Sequence, residues 1–443
     1  MPEIGKTPQV TADHPSAPVP YRHVAWNFAI IVLDVTSWMV GLAFVDAGTV
    51  LPVFATTLTA STIVIAALAV LPGAGWALLQ LIGVSLVIHR PRKKPYVLFV
   101  AALGRSPTLL VPALLLLHPA PSKTAMLWVL VGCFGILFLT DGLIGAAWYD
   151  IIGKTIPARL RGRFFGSMSI LSGLAALGAG YLVKRVLANP ALPYPRQYGV
   201  LFAGLCAGLM LSFLFLTLIR EPAGAVASGE AQPLRAVLRQ APRLWRGSSP
   251  LRRLLAVSWL GGLANLAWPF YVIYGMRALG LPAAAIAVFI WATALGNMLG
   301  SLFWAWVNDR HGPRWVVLGT ASIRAAPPLL ALTMPLLVAA VPALRPAAAA
   351  QYVYAAVFLL VGAVASGGMM GFSNYLLELA PAQERPLYVG LGNTLSAPGL
   401  LAPLLGGWLA LLWSFPVVFV LAAIMGLASL MACLGLAHVA EKA

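Results

Sequence analysis

Apolar runs of roughly 20 residues recur along the chain, separated by short polar knots, and each run can cross the ~30 Å of a bilayer's hydrocarbon as a helix. Backbone groups inside lipid have to bond within their own segment, so the spans are predicted to be helical. The pattern predicts twelve: 26–49, 62–87, 95–117, 125–150, 163–186, 198–219, 254–277, 284–307, 315–340, 350–379, 388–410 and 414–436. An even number returns both ends of the chain to one side. The remaining segments are a polar, Pro-rich tail over 1–23 and one long connection over 220–253. The predicted organisation is therefore a flexible tail, a six-helix bundle over 24–219, a basic linker over 220–253 and a second six-helix bundle over 254–437.

Composition agrees with a polytopic membrane protein. Of 443 residues, 60% are hydrophobic and 9% charged, against roughly 25% charged in a soluble domain. The net charge of +17 would suit nucleic acid, but the placement of the charges speaks for a membrane. Of 29 Lys and Arg, 21 fall on the side of the termini, 6 on the other side and 2 within spans. That bias places both termini in the cytoplasm of a bacterial-type plasma (inner) membrane. No nucleic-acid-binding motif is present. The tail lacks a signal-peptide core, and the first span is expected to serve as an uncleaved insertion signal. Within the linker, Arg235, Arg239 and Arg243 share helical spacing beside Leu234, Val237 and Leu238. They predict a short basic amphipathic helix on the anionic inner leaflet. Cys133, Cys206 and Cys433 all lie in apolar spans, without disulfide or metal spacing.

The chain repeats itself. Ser37-Trp38-x-x-Gly41-Leu42-Ala43 recurs as Ser258-Trp259-x-x-Gly262-Leu263-Ala264, an offset of 221. Lys94 and Arg105 match Arg314 and Arg324, at offsets of 220 and 219. Pro157-x-x-x-Arg161-x-x-x-x-Gly166 matches Pro381-x-x-x-Arg385-x-x-x-x-Gly390, at 224. Three anchors at nearly one spacing indicate two copies of a six-span unit, in the same orientation because six is even.

Between the predicted spans 8 and 9 lies Ala305-Trp306-Val307-Asn308-Asp309-Arg310-His311-Gly312-Pro313-Arg314. Gly312 allows the reversal, and Asp309 is placed to accept from free backbone N–H groups and pair with a nearby Arg. The pattern small-x-x-x-Asp-Arg-x-Gly-x-Arg resembles the signature of the major facilitator superfamily, with Ala305 in place of its usual first Gly. The resemblance extends over nearly the whole chain. It implies an all-α fold of twelve transmembrane helices in two pseudo-symmetric bundles, with helices 1, 4, 7 and 10 lining a central cavity. It also implies gate roles for Asp309, Arg310, Gly312 and Arg314. The first-copy counterpart departs from the signature, with His89 where Asp is usual and Arg92 where Gly is usual. A weakened or pH-dependent latch and a simple interfacial His are both compatible with that change.

Ionisable groups inside spans are costly in lipid and mark functional sites by default. Asp34, Asp46, Asp141, Arg105 and Arg324 are such groups. At 1.5 Å rise per residue, Asp34 lies ~12 Å deep, Asp141 ~13 Å and Arg105 ~15 Å. With the cavity that the resemblance implies, Asp34 and Asp141 are candidates for proton coupling or substrate contact. Alternatively, either is locked to Arg105 as a structural pair. Asp46 is a third candidate, as a gate or an interfacial residue. Arg105 and Arg324, matched across the copies, are assigned architectural roles. The second copy has Leu255, Ala267 and Ala365 opposite Asp34, Asp46 and Asp141. Trp38, Asn265, Trp268, Tyr271, Tyr274 and Asn374 are candidate cavity residues. Asp150 with Arg161, and Glu378 with Arg385, are candidate gate pairs.

Gly173, Gly178 and Gly180 permit close helix packing and partly resemble the signature of drug-efflux members, which leans toward export. There is no phosphate-binding loop, no set of residues with metal spacing and no enzyme signature. The expectation is a non-enzymatic, monomeric secondary active transporter of a small amphipathic organic solute, with no cofactor but the proton gradient. A facilitative uniporter, or a non-transporting membrane sensor or scaffold, are the alternatives.

Overall fold

The computed structural model describes residues 23–87, 90–118, 122–223, 248–380, 388, 392 and 395–436. His89, Arg385, the tail and the basic linker helix lie outside them. Among the described residues every regular element is helical. In the first copy, α1 is Val24–Phe44 continued by Val50–Leu58, α2 is Thr62–Val87 and α3 is Lys94–Leu117. They are followed by α4 (Lys123–Thr155), α5 (Ala158–Leu187) and α6 (Arg196–Leu218). In the second copy, α7 is Ser249–Leu279, α8 is Ala285–His311 and α9 is Pro313–Ala340. The last three are α10 (Ala347–Leu379), α11 (Ala397–Leu412) and α12 (Phe415–Leu434). Ten described helices are long and apolar enough to cross a membrane, and shorter apolar stretches fill the places of the predicted spans 2 and 11.

The largest departure from the predicted spans is at α1. It stops at Phe44, loses helical form over Val45–Thr49 and resumes at Val50. The Asp46 carboxylate accepts from the Gly48 N–H (3.1 Å) and the Thr49 hydroxyl (2.7 Å), and so holds the turn between the two helical pieces. The second copy breaks at the same point in the repeat. There α7 passes through a tighter turn over Ala264–Ala267 and resumes at Phe270, after Pro269 has removed a backbone donor. The two breaks meet. A Cβ at Gly48 would lie 2.9 Å from the Trp268 indole nitrogen, so only glycine allows this approach.

Packing divides the molecule along its depth. On the side away from the termini, a single apolar cluster draws from both copies, with Phe54, Phe134 and Phe202 joined to Phe270, Phe289 and Phe419. There Thr62 donates to the Gly407 carbonyl (2.5 Å) and the Trp291 indole to the Leu177 carbonyl (2.8 Å), closing α2 on α11 and α5 on α8. On the terminus side the clusters are separate. One holds Ile31, Val97, Ile151 and Phe164; the other holds Leu254, Leu255, Tyr375 and Leu376. The copies are zipped at one end and parted at the other. The part of α5 nearer the termini accordingly exposes Phe165, Ile170 and Leu174.

Within each copy, small residues let backbones touch. A Cβ at Gly142 would overlap the Gly75 carbonyl between α4 and α2, and one at Gly296 would overlap the Leu359 carbonyl between α8 and α10. Of Gly173, Gly178 and Gly180 on α5, only Gly180 makes a close approach, against the Trp291 side chain; Gly173 and Gly178 have open space beside them. Over-packing a tight core costs ~1–3 kcal/mol. Gly296→Ala is therefore expected to lower the melting temperature of the detergent-purified protein. Gly132→Ala, with nothing near its Cβ, is expected to leave the melting temperature unchanged or raise it.

Candidate functional site

The helices that carry the first copy's charges converge at one level. Helix α3 runs from Lys94 to Arg105, then tightens into a 3-10 turn over Ser106–Leu109. Arg105 is 6% exposed. Its Nη1 donates to the Leu209 carbonyl (3.1 Å), and its guanidinium lies 5.1 Å from the Trp38 ring centre and 5.9 Å from that of Phe213. Leu209, Ser212 and Phe213 share one face of α6, spaced three and four residues apart. The Ser212 hydroxyl donates to Asp34 Oδ1 at 2.5 Å, and Asp34 is 4% exposed. The Trp148 indole approaches the same carboxylate from α4.

Asp141 lies on α4, two turns before Trp148, and is half-buried. The charge of Arg105 acts on both Asp34 and Asp141, and the two carboxylates act on each other. No direct ion pair joins Arg105 to either one among the described residues. The carbonyl and the two aromatic faces hold the guanidinium in place, so its charge is shared between two acids. With both acids ionised the trio carries one negative charge; a single proton makes it neutral. Low-dielectric surroundings make that difference large. Neither Ser212 nor Trp148 stood out in the sequence, since a lone Ser or Trp in an apolar span has many ordinary roles.

The other candidate residues fall into place individually. Trp38 forms the platform under Arg105. Asp46 and Trp268 belong to the paired helix breaks, and Asn265 is exposed in the turn of α7. Of two predicted cavity residues, Tyr271 is core instead and Tyr274 is half-buried beside it: both pack on Phe419, each 5.1 Å between ring centres, and the Tyr271 carbonyl accepts from the Tyr354 hydroxyl at 2.7 Å. Their phenol bodies are apolar, and the zipped end supplies aromatic partners for them. Asn374 likewise bonds the Asn308 side chain (3.0 Å), tying α10 to the end of α8.

The polar knot after α8 turns on Gly312, at φ 84°, whose N–H donates to the Asn308 carbonyl (2.9 Å). Arg310 lies over Trp306 at 5.3 Å, and Arg314 is half-buried near Tyr375. Asp309 is exposed and makes none of the expected bonds among the described residues.

The predicted pair of Asp150 and Arg161 is not formed. Asp150 pairs with Lys154 one turn on (2.5 Å), while Arg161 donates to the carbonyls of Gly153 and Ile156. Lys154 also reaches Glu221 at 3.5 Å. Glu221, just past α6, accepts from the backbone N–H groups of Lys93 and Lys94 at 2.8 Å each. It thus caps α3 from a distant part of the chain, a role that sequence spacing does not disclose.

In the second copy, Arg324 Nη1 donates to the Gly261 carbonyl at 2.7 Å. Its neighbours are Gly261 on α7, Gly368 on α10 and Cys433 on α12.

Residues 261–442 match the sequence profile of the Major Facilitator Superfamily. An uncharacterized protein of Mycobacterium tuberculosis and another of Mycobacterium bovis are each 26% identical to this chain over 329 residues, which is 70% of this chain and 60% of theirs. Three solved structures share the fold at low identity. A nucleoside transporter is 13% identical with a TM-score of 0.67, covering 93% of this chain and 99% of its own. A bacterial homologue of the iron transporter ferroportin, in an inward-facing state, is 14% identical with a TM-score of 0.68, covering 93% and 98%. A D-xylose–proton symporter is 14% identical with a TM-score of 0.63, covering 91% and 96%. The second half of the chain is thus similar in sequence to the Major Facilitator Superfamily, and the whole chain shares its fold with these three solved structures.

Proposed function

We propose that this protein is a proton-coupled secondary active transporter of a small amphipathic organic solute, working by alternating access. It would lie in a bacterial-type plasma membrane with both termini in the cytoplasm, and the α5 glycines favour export. The observation that carries the reading is the trio of Asp34, Arg105 and Asp141. Asp34 and Arg105 are buried and Asp141 half-buried, three helices contribute, and with both acids ionised the group is one proton short of neutrality. A charge of that kind resists the dry, closed intermediate that a rocking carrier has to pass through, and binding a proton removes the obstacle. The zipped and parted ends described above correspond to one of the two end states. The paired breaks of α1 and α7, in contact through Gly48 and Trp268, are the joint that would open in the other.

The uniporter reading has one observation in its favour. Asp34 is already bonded to Ser212, as a purely structural acid would be. The two readings differ in their response to pH. In proteoliposomes with an entrapped pH dye, proton movement is measured on adding benzenesulfonate, benzyltrimethylammonium or phenyl glucoside as anionic, cationic and neutral probes. At least one probe is expected to move protons. Asp34→Asn and Asp141→Asn are each expected to reduce that movement ~10-fold or more, and together to abolish it. Unchanged proton movement in the double variant would overturn the coupling claim, and probe flux indifferent to the pH gradient would favour the uniporter. Ser212→Ala is expected to cost ~1–3 kcal/mol of stability by leaving a buried acceptor short of a donor, read as a lower melting temperature.

A further inference from the structure

The repeat sets an arginine at one position in both copies, but the two arginines are answered differently. Arg105 faces two carboxylates. At the matching positions the second copy has Leu255, which is fully buried, and Ala365. On α12, the helix that corresponds to α6, Ser429 donates to the Val257 carbonyl at 3.1 Å, whereas Ser212 serves Asp34. The second copy has kept an arginine and a serine of this arrangement and has no acid for them.

Arg324 spends one donor on the Gly261 carbonyl, and its buried Nε makes no hydrogen bond. Among the described residues no acidic side chain comes within electrostatic reach of it. Small residues surround it. A Cβ at Gly261 would come 2.9 Å from Cζ, and one at Gly368 would come 3.2 Å from Nη2. Glycines on α7 and α10 therefore hold the guanidinium against backbone, where larger side chains would displace it. Helices α7 and α10 stand in the second copy where α1 and α4 stand in the first. A guanidinium at this depth is costly until an anion meets it, and its planar fork suits an oxyanion held by two parallel hydrogen bonds.

We propose that Arg324 is the anion-binding residue of the transport site, and that the solute is an amphipathic organic anion whose carboxylate, sulfonate or phosphate takes the place that Asp34 and Asp141 take beside Arg105. This rests on the transport reading above and specifies its substrate class. Each copy then reaches neutrality by a different route, the first with a proton and the second with the solute's own charge.

Thermal unfolding of the detergent-purified full-length protein tests the assignment with matched pairs: naphthalene-2-sulfonate against naphthalene-2-sulfonamide, and benzoate against benzamide. The anion of at least one pair is expected to raise the melting temperature and its neutral twin to leave it unchanged. Arg324→Gln is expected to weaken anion binding at least ~30-fold, and Arg324→Lys to keep part of it. Ala365→Asp, one turn before Gly368, supplies a carboxylate from within the chain. It is expected to compete with the added anion, which keeps the claim testable if Arg324→Gln does not fold. Equal stabilisation by both members of each pair, stabilisation by neither, or an undiminished response in Ala365→Asp would each overturn the proposal. Failure of the transport reading is distinguishable: it appears as no proton movement with any probe. Proton movement with the cationic or neutral probe and none with benzenesulfonate would leave transport standing and remove the anion claim.

Discussion

A guanidinium inside hydrocarbon needs something to answer its charge, and the arrangement of each copy follows from how that need is met. In the first copy the answer is two carboxylates on α1 and α4, backed by a carbonyl and two aromatic faces. In the second, among the described residues, it is a carbonyl and the nearby Cys433, with glycines crowding close. Both arginines sit at a disturbance in their helix: Arg105 just before a 3-10 turn, and Arg324 within the interruption between Ile323 and Ala326. Pro107 and Pro327 explain the break in regular bonding there.

The second constraint is the pair of broken helices. Breaks inside a membrane are tolerated where the freed backbone groups find partners or lie buried in protein. Asp46 supplies acceptors at one break, and the surrounding aromatic cluster seals both. Because the breaks touch through Gly48 and Trp268, a change at one is felt at the other. The zipped end of the molecule is thus built from aromatic packing with two helix breaks set into it. The parted end is held by polar ties within each copy, such as Glu221 on α3 and Asn374 on Asn308.

Much of this was legible along the chain. Length of apolar runs and the offset near 220 were enough for the helices and the duplication, since a bilayer permits few alternatives. Asp34, Asp141 and Arg105 stood out because lipid makes charge conspicuous. The errors share a cause. Tyr271 looked like a cavity residue because an aromatic ring with a hydroxyl suits a wet cleft and a dry core equally. The Asp150 and Arg161 pair was read from nearness in sequence, while Lys154, one helical turn away, was nearer in space. Glu221 escaped notice because its partners at Lys93 and Lys94 lie over a hundred residues earlier.

The sequence by itself determined that the chain lives in a membrane, that it is helical and duplicated, and which few charges have to be accommodated at depth. Those conclusions rest on the solvent, whose demands on length and polarity are the same everywhere along a span. Which charges meet was decided only by the tertiary structure. The rotation of each helix about its axis, set by side-chain packing and by glycine contacts such as Gly142 on Gly75, turns Arg105 toward two acids and Arg324 toward none among the described residues. An apolar run that is hydrophobic on every face carries no record of that rotation.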